Sequence, residues 1–486
     1  MRKLFSKFRL AARARKRSTP TQDPEAAAVV GVAEAELKYS VHSSTAERRP
    51  QKHPLSAQHD HADDPIPGTA SNRPSIQASP AKPTLETLPA ELRTEILSHI
   101  VDLNDLSAVV HASPVFHQQY LLNRHRFLAQ CLKGTLESVL IDAYIHLASS
   151  DVVEQRLAAP KRSSRPAITA VMEGYGELRR ASQRASRGDG VLERCDIEDL
   201  TNMASFYLAV VQPLVTDCAT LFLQNLKVQN PAELGSLRKI ERTRLLRALY
   251  RFQIYQDLFA NDGTGSDFSH VEVLAVFFGI FHPWEVEEVH CIDHLVRARH
   301  NQVFDKIKWD VHKTNAARFG EQMNPMTPPG AFDLDNEYNR LSLLNGTISR
   351  GLPLFQAVPR MADHEALIRL MQQNMTWGLG EPIPETMVSL TSDFRRSFYP
   401  SELDQMEAAR QRMPFLGDDE EAPPLAWVII WRGRYSTTYG DVIPPVLQDW
   451  GYVFWDVHRL TARRGEMKTE LLSAWLHKWP EDPRDL

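Results

Sequence analysis

The sequence has few cysteines and no marked excess of either charge. Its 486 residues include four cysteines, none in a CxxC spacing, which excludes a zinc knuckle and a disulfide framework. The formal net charge is only -5, so no global field attracts nucleic acid or an anionic membrane. These features predict a reduced protein of the cytoplasm or the nucleus, with no nucleic-acid partner, no membrane partner, no metal and no cofactor.

Long apolar runs are also scarce. The longest nearly apolar stretch, Met203 to Leu223, has Gln212, Pro213 and Asp217 at its centre, and an acid there is expensive in lipid. A buried core helix is therefore the prediction for this stretch.

Residues 1–83 lack the apolar side chains that a core needs. After Phe8 the only aromatic residue of this segment is Tyr39, and prolines recur from Pro20 to Pro83, which predicts a disordered tail. The first seventeen residues hold eight basic residues and no acid. This basic segment fits a solvated tail, a nuclear-import patch, a membrane-surface contact or a transit-type presequence.

From Thr84 onward, apolar residues recur at helical spacing and period-two strands are rare. The two strand candidates are AWVIIW at 426–431 and YVFW at 452–455. We therefore predict a mostly α protein: a short three-helix unit and then a large irregular helical domain, with at most a few short strands near the carboxyl terminus. The predicted divisions are a tail at 1–83, a three-helix unit at 84–132, a helical partner-binding domain at 133–416, an exposed acidic loop at 417–424 and a carboxyl-terminal lobe at 425–486 that packs on the helical domain.

The stretch LPAELRTEILSHI, residues 88–100, breaks a local rule of helix capping. If Pro89 occupies the first helical position, Leu88 stands at the N-cap and the carboxylate of Glu91 can reach back to it. Leucine is a poor cap, although Thr87 takes that role if the helix starts one residue earlier. An apolar residue where a polar cap is favoured indicates a contact surface.

Two further short helices are predicted after it. Asp102 or Asn104 can cap a second helix, and Ser113-Pro114 is an N-cap followed by an N1 proline that opens a third. A unit of about fifty residues buries little surface and is only marginally stable alone, so we expect it to pack against another domain or protein.

The segment LETLPAELRTEILSHIVDLNDLSAVVHASPVF, residues 85–116, resembles an F-box. The matching features are the Leu-Pro opening, the Glu-Leu that follows, the Ile-Leu pair and the Leu-x-Asp-Leu before the second helix. The resemblance implies docking on the Skp-type linker subunit of a cullin-RING ubiquitin ligase, with the rest of the chain holding an unidentified substrate protein. The linker contacts that it implies are Leu88, Pro89, Leu92, Ile96, Leu97, Leu103, Leu106 and Val109.

Three downstream segments are similar to parts of large F-box-containing proteins of filamentous fungi. They are ERTRLLRALYRFQIYQDLF, HPWEVEEVHCI and GYVFWDVHRL. One departure concerns the second half of the motif: many F-boxes have Val-Cys-Arg before an aromatic residue, whereas this chain has Ala-Ser-Pro-Val-Phe at 112–116.

An arginine stripe is the second candidate site. Arg244, Arg247 and Arg251 share one face of a predicted helix, and their forked guanidinium groups suit an acidic or phosphorylated partner. The alternative is a solvated face that pairs with acids such as Glu241.

The pair His290 and His294 has the i, i+4 spacing of shared metal ligands, but Cys291 stands where the zincin pattern requires glutamate. The acids that follow Pro283 are explained by the first turn of a helix. No nucleophile elbow, phosphate loop, kinase set or dinucleotide fingerprint occurs. The sequence therefore predicts a non-catalytic ubiquitin-ligase adaptor; the alternative is a helical interaction or structural protein with a degenerate F-box.

Overall fold

Helices dominate the part of the chain that the structure, a computed structural model, describes: residues 84–159, 162–185, 190–226, 236–260, 268–320, 327–378, 383 and 402–485. Within these residues 74% is helical and there is no strand, so the prediction of a mostly α protein is confirmed. The predicted tail at 1–83 and its basic segment lie outside the described residues.

The helices of the described chain are numbered in the order in which they occur. The α-helices are Ala90–Ser98 (α1), Leu103–Ala112 (α2), Pro114–Leu122 (α3), Arg124–Leu136 (α4), Leu140–Ala158 (α5), Arg165–Ala185 (α6), Ile197–Phe206 (α7), Gln212–Asn225 (α8), Lys239–Phe259 (α9), His270–Val276 (α10), Pro283–Ile307 (α11), Ala316–Phe319 (α12), Glu337–Ile348 (α13), Gly351–Ala357 (α14), His364–Asn374 (α15), Glu402–Ala408 (α16), Leu425–Ile430 (α17), Pro445–Asp449 (α18) and Val457–Lys478 (α19). A π-helical turn, Tyr207–Val211, joins α7 to α8. The 3-10 turns are Leu85–Thr87, Glu137–Val139, Leu192–Arg194, Phe278–Ile280, Val358–Arg360, Gly440–Val442, Tyr452–Phe454 and Pro483–Asp485.

Both strand predictions are wrong. AWVIIW lies in α17 and its carboxyl-terminal turn, and YVFW forms the 3-10 turn Tyr452–Phe454 followed by Trp455. Short apolar runs do not distinguish a buried strand from a buried helix. Gly451 sets the second turn with φ +58, and a Cβ there would approach Phe454 to 2.8 Å and Phe222 to 2.9 Å. The only β-pairing among the described residues is the isolated antiparallel bridge between Arg412 and Arg434.

The chain forms two compact units. The described part of the first, which we call the amino-terminal unit, consists of residues 84–97 and 110–121. Inside it, Ser113 Oγ donates to Glu86 Oε1 at 2.6 Å, and Gln119 Nε2 donates to Thr94 Oγ1 at 2.7 Å. These two bonds hold the start of α3 to the 3-10 turn, and the body of α3 to α1.

The second unit, the helical unit, contains residues 98–109 and the described chain from Leu122 onward. Gln130 Nε2 on α4 donates to Ile100 O at 3.0 Å, and the Leu103 N–H donates to Thr135 Oγ1 at 2.9 Å. The predicted boundary between residues 132 and 133 therefore falls inside α4, which is continuous from Arg124 to Leu136.

Helix α9 lies at the centre of the helical unit, in contact with α5 on one side and α11 on another. Helix α11 also contacts α13 and α18, and α17 packs on α19. Four tryptophans of the carboxyl-terminal segment, Trp427, Trp431, Trp450 and Trp455, are at most 1% exposed. The region from 425 onward is thus part of the same packed unit as the helices before it.

One continuous helix of the described chain, Ile197–Asn225, is long and apolar enough to cross a membrane, by length and composition alone. The core helix of a soluble protein passes the same test. This helix buries Tyr207, Val211, Leu214 and Cys218 within the helical unit, each at most 2% exposed. These residues lie in the core, as the sequence predicts, and 44% of the most apolar 18-residue window of the helix is buried.

Candidate functional site

The start of α1 presents apolar side chains at the surface of the amino-terminal unit. Pro89 is exposed, Leu92 is 51% exposed, and Leu88 and Ile96 are partly buried. The Arg93 N–H donates to Pro89 O at 3.2 Å, so Pro89 is the residue before the first helical position and not the first position itself. The Leu88 N–H, which Glu91 is predicted to reach, donates instead to Leu85 O at 3.4 Å, and Arg93 Nη1 donates to Leu88 O at 2.9 Å.

The eight residues implied as linker contacts fall on both units. Leu88, Pro89, Leu92, Ile96 and Leu97 belong to the amino-terminal unit, whereas Leu103, Leu106 and Val109 belong to the helical unit. The eight residues also differ in how exposed they are. Leu97 is 0% exposed, Leu103 2% and Leu106 3%, so these three offer no surface to a partner in this conformation.

The predicted caps of the second and third helices are present. Asp102 Oδ1 accepts the Asn104 N–H at 2.7 Å at the start of α2, which selects Asp102 over Asn104 as the cap. Ser113 Oγ accepts the Phe116 N–H at 3.4 Å at the start of α3. Phe116 is 3% exposed. The segment that departs from the F-box pattern is therefore engaged within the chain.

The arginine stripe is not on the surface. Arg244 is 0% exposed, Arg247 4% and Arg251 1%. Both interpretations of the stripe, as an open phosphopeptide face and as a solvated face, are wrong, because α9 is covered on the side that carries these residues. Glu241, offered as their partner, pairs instead with Arg459 on α19, at 2.6 Å from Oε1 to Nε.

Two of the arginines are paired with carboxylates on the neighbouring helices. Arg247 donates from Nε and Nη2 to both oxygens of Glu288 on α11, at 2.6 and 2.5 Å. Arg251 donates to Asp142 on α5 and to Glu285 on α11, both at 2.9 Å. We call these residues, together with Arg179, Arg244 and Asp418, the arginine network.

Arg244 has a different kind of partner. Its Nη2 donates to Asp418 Oδ1 at 3.0 Å, and its Nη1 is 3.4 and 3.3 Å from the carbonyl oxygens of Phe454 and Trp455. The predicted exposed loop at 417–424 is therefore anchored in the interior by Asp418, whose side chain is 12% exposed.

The pairing decides the charge states of the network. Burial opposes ionisation of Glu285, but the guanidinium groups of Arg179, Arg251 and Arg247 outweigh it and hold the pKa of Glu285 well below its usual range. Glu288 is more finely balanced: burial raises its pKa despite the adjacent Arg247. A paired, buried network of this kind fixes neighbouring helices; it has no open face for a ligand.

A second buried cluster surrounds α11. Glu287 accepts the Gly440 N–H at 2.8 Å and Gln448 Nε2 at 3.1 Å. No cation pairs with Glu287 in the described part of the chain, and burial raises its pKa to about 8. Burial lowers the pKa of His290 to about 3, and its Nε2 is 3.8 Å from Oδ1 of Asp441.

His290 and His294, which have the spacing of shared metal ligands, have separate partners. His294 Nε2 lies 2.9 Å from Asp449 Oδ1, apart from the contact of His290. Among the described residues no group of three or more His, Cys, Asp or Glu side chains is placed to hold a metal ion.

Sequence reasoning missed Asp142, Glu285, Glu288 and Asp418 as partners of the stripe. The sequence places the acids after Pro283 near the start of a helix, and α11 does begin at that proline. Only Glu285 lies in the first turn of α11, so that turn does not account for Glu287 and Glu288, and all three are at most 1% exposed. Buried carboxylates require cations or protons, and the stripe supplied the cations.

Comparison with known proteins finds no family model that matches the chain, and no match among curated proteins or solved structures. The case for a function therefore comes from the residues and their contacts.

Proposed function

We propose that this protein is the substrate-recognition adaptor of a Skp-cullin-F-box type ubiquitin ligase, acting in the cytoplasm or the nucleus. Residues of the F-box-like segment dock on the linker subunit and through it on the cullin and RING subunits, and the helical unit binds a target protein. The chain performs no chemistry itself. It raises the effective concentration of a substrate lysine near the charged conjugating enzyme.

The observation that carries the proposal is the exposure of the Leu-Pro segment and the first turn of α1. Pro89 is exposed and Leu92 is 51% exposed, where a helix of the protein's own core would bury its apolar side. Full burial of a large apolar side chain is worth about 1.5 to 3 kcal/mol, so half-exposed residues such as Leu92 each contribute about half of that on docking. Leu88 and Ile96, which are partly buried, extend the same apolar face.

The test is capture of the full chain by the purified linker subunit. Leu92→Glu should abolish capture, because a carboxylate would be desolvated at the interface. Leu476→Glu is the matched control, since Leu476 is a leucine on α19 with 49% exposure and should leave capture unchanged. Equal capture of wild type and both variants would refute docking through α1.

A specific observation favours the second candidate, a helical interaction or structural protein with a degenerate F-box. Leu97, Leu103 and Leu106 are buried, and Ser113, in the departing segment, donates to Glu86 at 2.6 Å. Affinity purification from the native cell followed by mass spectrometry separates the two candidates. A recovered cullin supports the adaptor, and its absence from a preparation that retains other partners supports the interaction protein.

A further inference from the structure

Asp418 is the only carboxylate of the arginine network that is not carried by a core helix. Asp142 lies on α5, and Glu285 and Glu288 lie on α11. Asp418 lies on the irregular segment that precedes α17, residues 417–424, which we call the acidic segment. Its neighbours Asp419 and Glu421 are exposed. The three helix-borne carboxylates cannot leave without dismantling the core, whereas Asp418 can leave with a short surface segment.

The position that Asp418 fills has the chemistry of an oxyanion site. One carboxylate oxygen accepts from Arg244 Nη2 at 3.0 Å, and the other accepts the Val457 N–H at 2.7 Å, at the first residue of the 22-residue helix α19. A helix amino terminus and a guanidinium group both favour negative charge. Arg244 is fully buried and its Nε has no hydrogen-bond partner among the described residues.

The adjacent arginine extends the site. Arg247 Nη1 donates to the carbonyl oxygen of Glu420 at 2.6 Å, so the acidic segment covers two guanidinium groups, one with a side chain and one with its backbone. Asp418 is the only carboxylate that forms an ion pair with Arg244 in the described chain. If the segment lifted without a replacement, Arg244 would lose this ion pair and keep only the more distant attraction of Glu288, which is unfavourable for a guanidinium group in the interior. Another anion in the position of Asp418 would offset that loss.

We propose that Arg244 and the amino terminus of α19 form an oxyanion-binding site that Asp418 occupies in the same chain, and that a carboxylate or phosphate group of another molecule displaces it. The acidic segment is thus an internal competitor for this site. The inference goes beyond the proposed adaptor function and does not depend on linker docking, so either can fail alone.

The experiment uses the full chain, with Asp418→Asn to remove the competitor and Asp419→Asn, the exposed neighbouring acid, as the matched control. Inorganic phosphate, at ionic strength balanced with sodium chloride, is titrated calorimetrically and its effect on Tm is recorded. A short tether holds its ligand at an effective concentration on the order of millimolar. Asp418→Asn should therefore bind phosphate at least about tenfold more tightly than wild type and gain Tm with phosphate, whereas Asp419→Asn should behave like wild type.

A second arm separates the two sources of the anion. A synthetic peptide of residues 415–423 is titrated into Asp418→Asn, beside the same peptide with asparagine at position 418. Selective binding of the aspartate peptide without phosphate binding supports a site for carboxylates presented on a protein segment; phosphate binding supports a site for phosphate groups. Adding Arg244→Met should remove either signal.

The proposal is overturned if neither probe binds Asp418→Asn, or if both probes bind wild type and Asp419→Asn as tightly as they bind Asp418→Asn. If Asp418→Asn does not purify in folded form, its refolding yield with and without phosphate decides instead. Restoration of the yield by phosphate, absent with sodium chloride alone, supports the site, and an unchanged yield overturns it.

Discussion

Replacing Arg247 with methionine tests whether the arginine network is structural. Arg247 is 4% exposed and donates twice to Glu288, at 2.6 and 2.5 Å. Methionine fills similar volume but leaves the carboxylate of Glu288, itself 0% exposed, without its cation. Removing one partner of a buried pair costs about 3 to 5 kcal/mol. The Glu420 carbonyl, which loses a donor at 2.6 Å, adds to the loss.

Protonation of Glu288 should limit this loss of stability. Burial already raises the pKa of Glu288 above its usual value with Arg247 in place, and without the guanidinium group the pKa rises further. Below that raised pKa the carboxyl group is neutral and its burial costs less. The variant should therefore lose more stability at pH 8 than at pH 5, relative to wild type at the same pH.

The measurement is urea denaturation followed by circular dichroism and tryptophan fluorescence at pH 5 and pH 8. Arg247→Met/Glu288→Met should recover most of the loss, because a buried ion pair replaced by apolar residues of similar size is often neutral. The control is Arg369→Met on α15, whose pair with Asp363 at 3.8 Å is 65% and 66% exposed and should contribute less than about 1 kcal/mol. A loss in Arg247→Met no larger than in Arg369→Met, or a double variant no better than the single, would refute the structural role.

Two further changes test other parts of the helical unit. The pKa of Glu287 is raised from 4.5 to about 8 by burial, so the folded state retains its proton and stability falls as pH rises between these values, by up to about 1.4 kcal/mol per pH unit. Glu287→Gln should flatten that part of the pH profile of the urea midpoint; an unchanged slope would contradict the buried neutral acid. In Gly346→Ala, the new Cβ would lie 1.9 Å from Thr376 O, so the Tm should fall by several degrees. In Gly176→Ala, the nearest atom to the new Cβ is the tip of Arg180 at 3.8 Å. The Tm should therefore stay the same or rise, because alanine is more favourable than glycine in a helix by about 1 kcal/mol. Equal effects of the two alanines on the Tm would contradict the close approach of Thr376 to Gly346.

Local signals predicted the starts of α3 and α11, whereas α1 begins one residue later than predicted. Ser113 and Pro114 open α3 as an N-cap and a first helical residue, and Pro283 opens α11. Each depends on groups within four residues of one another, so the sequence contains all the information. The strand predictions failed because a run such as 426–431 is apolar at every position. A run without polar residues shows neither the helical nor the strand period of hydrophobicity, so the tertiary environment decides between helix and strand.

The candidate sites also combine features that the local sequence predicts with features that only tertiary packing determines. The periodicity of Arg244, Arg247 and Arg251 correctly placed them on one face of α9, but periodicity does not say whether a charged face meets solvent. Their carboxylate partners are distant in sequence: Arg251 pairs with Asp142, and Arg244 pairs with Asp418. Only the packing of α5, α11 and the acidic segment against α9 reveals these pairs. Nor does the capping rule account for the exposure of Leu92, because Pro89 and not Leu88 precedes the first helical position of α1.

The arginine network also favours one register of α9, the helix at the centre of the helical unit. Glu241 pairs with α19, Arg244 with the acidic segment, Arg247 with α11, and Arg251 with both α5 and α11. A slip of α9 by one turn would bring Arg247 to the place of Arg251 and Glu241 towards the place of Arg244, beside the carboxylate of Asp418. Like charges would then meet in a medium of low dielectric constant, so the slipped packing is disfavoured far more strongly than apolar contacts alone would ensure. Apolar replacements that preserve stability should therefore still loosen the register, and hydrogen exchange along α9 would measure that loss directly.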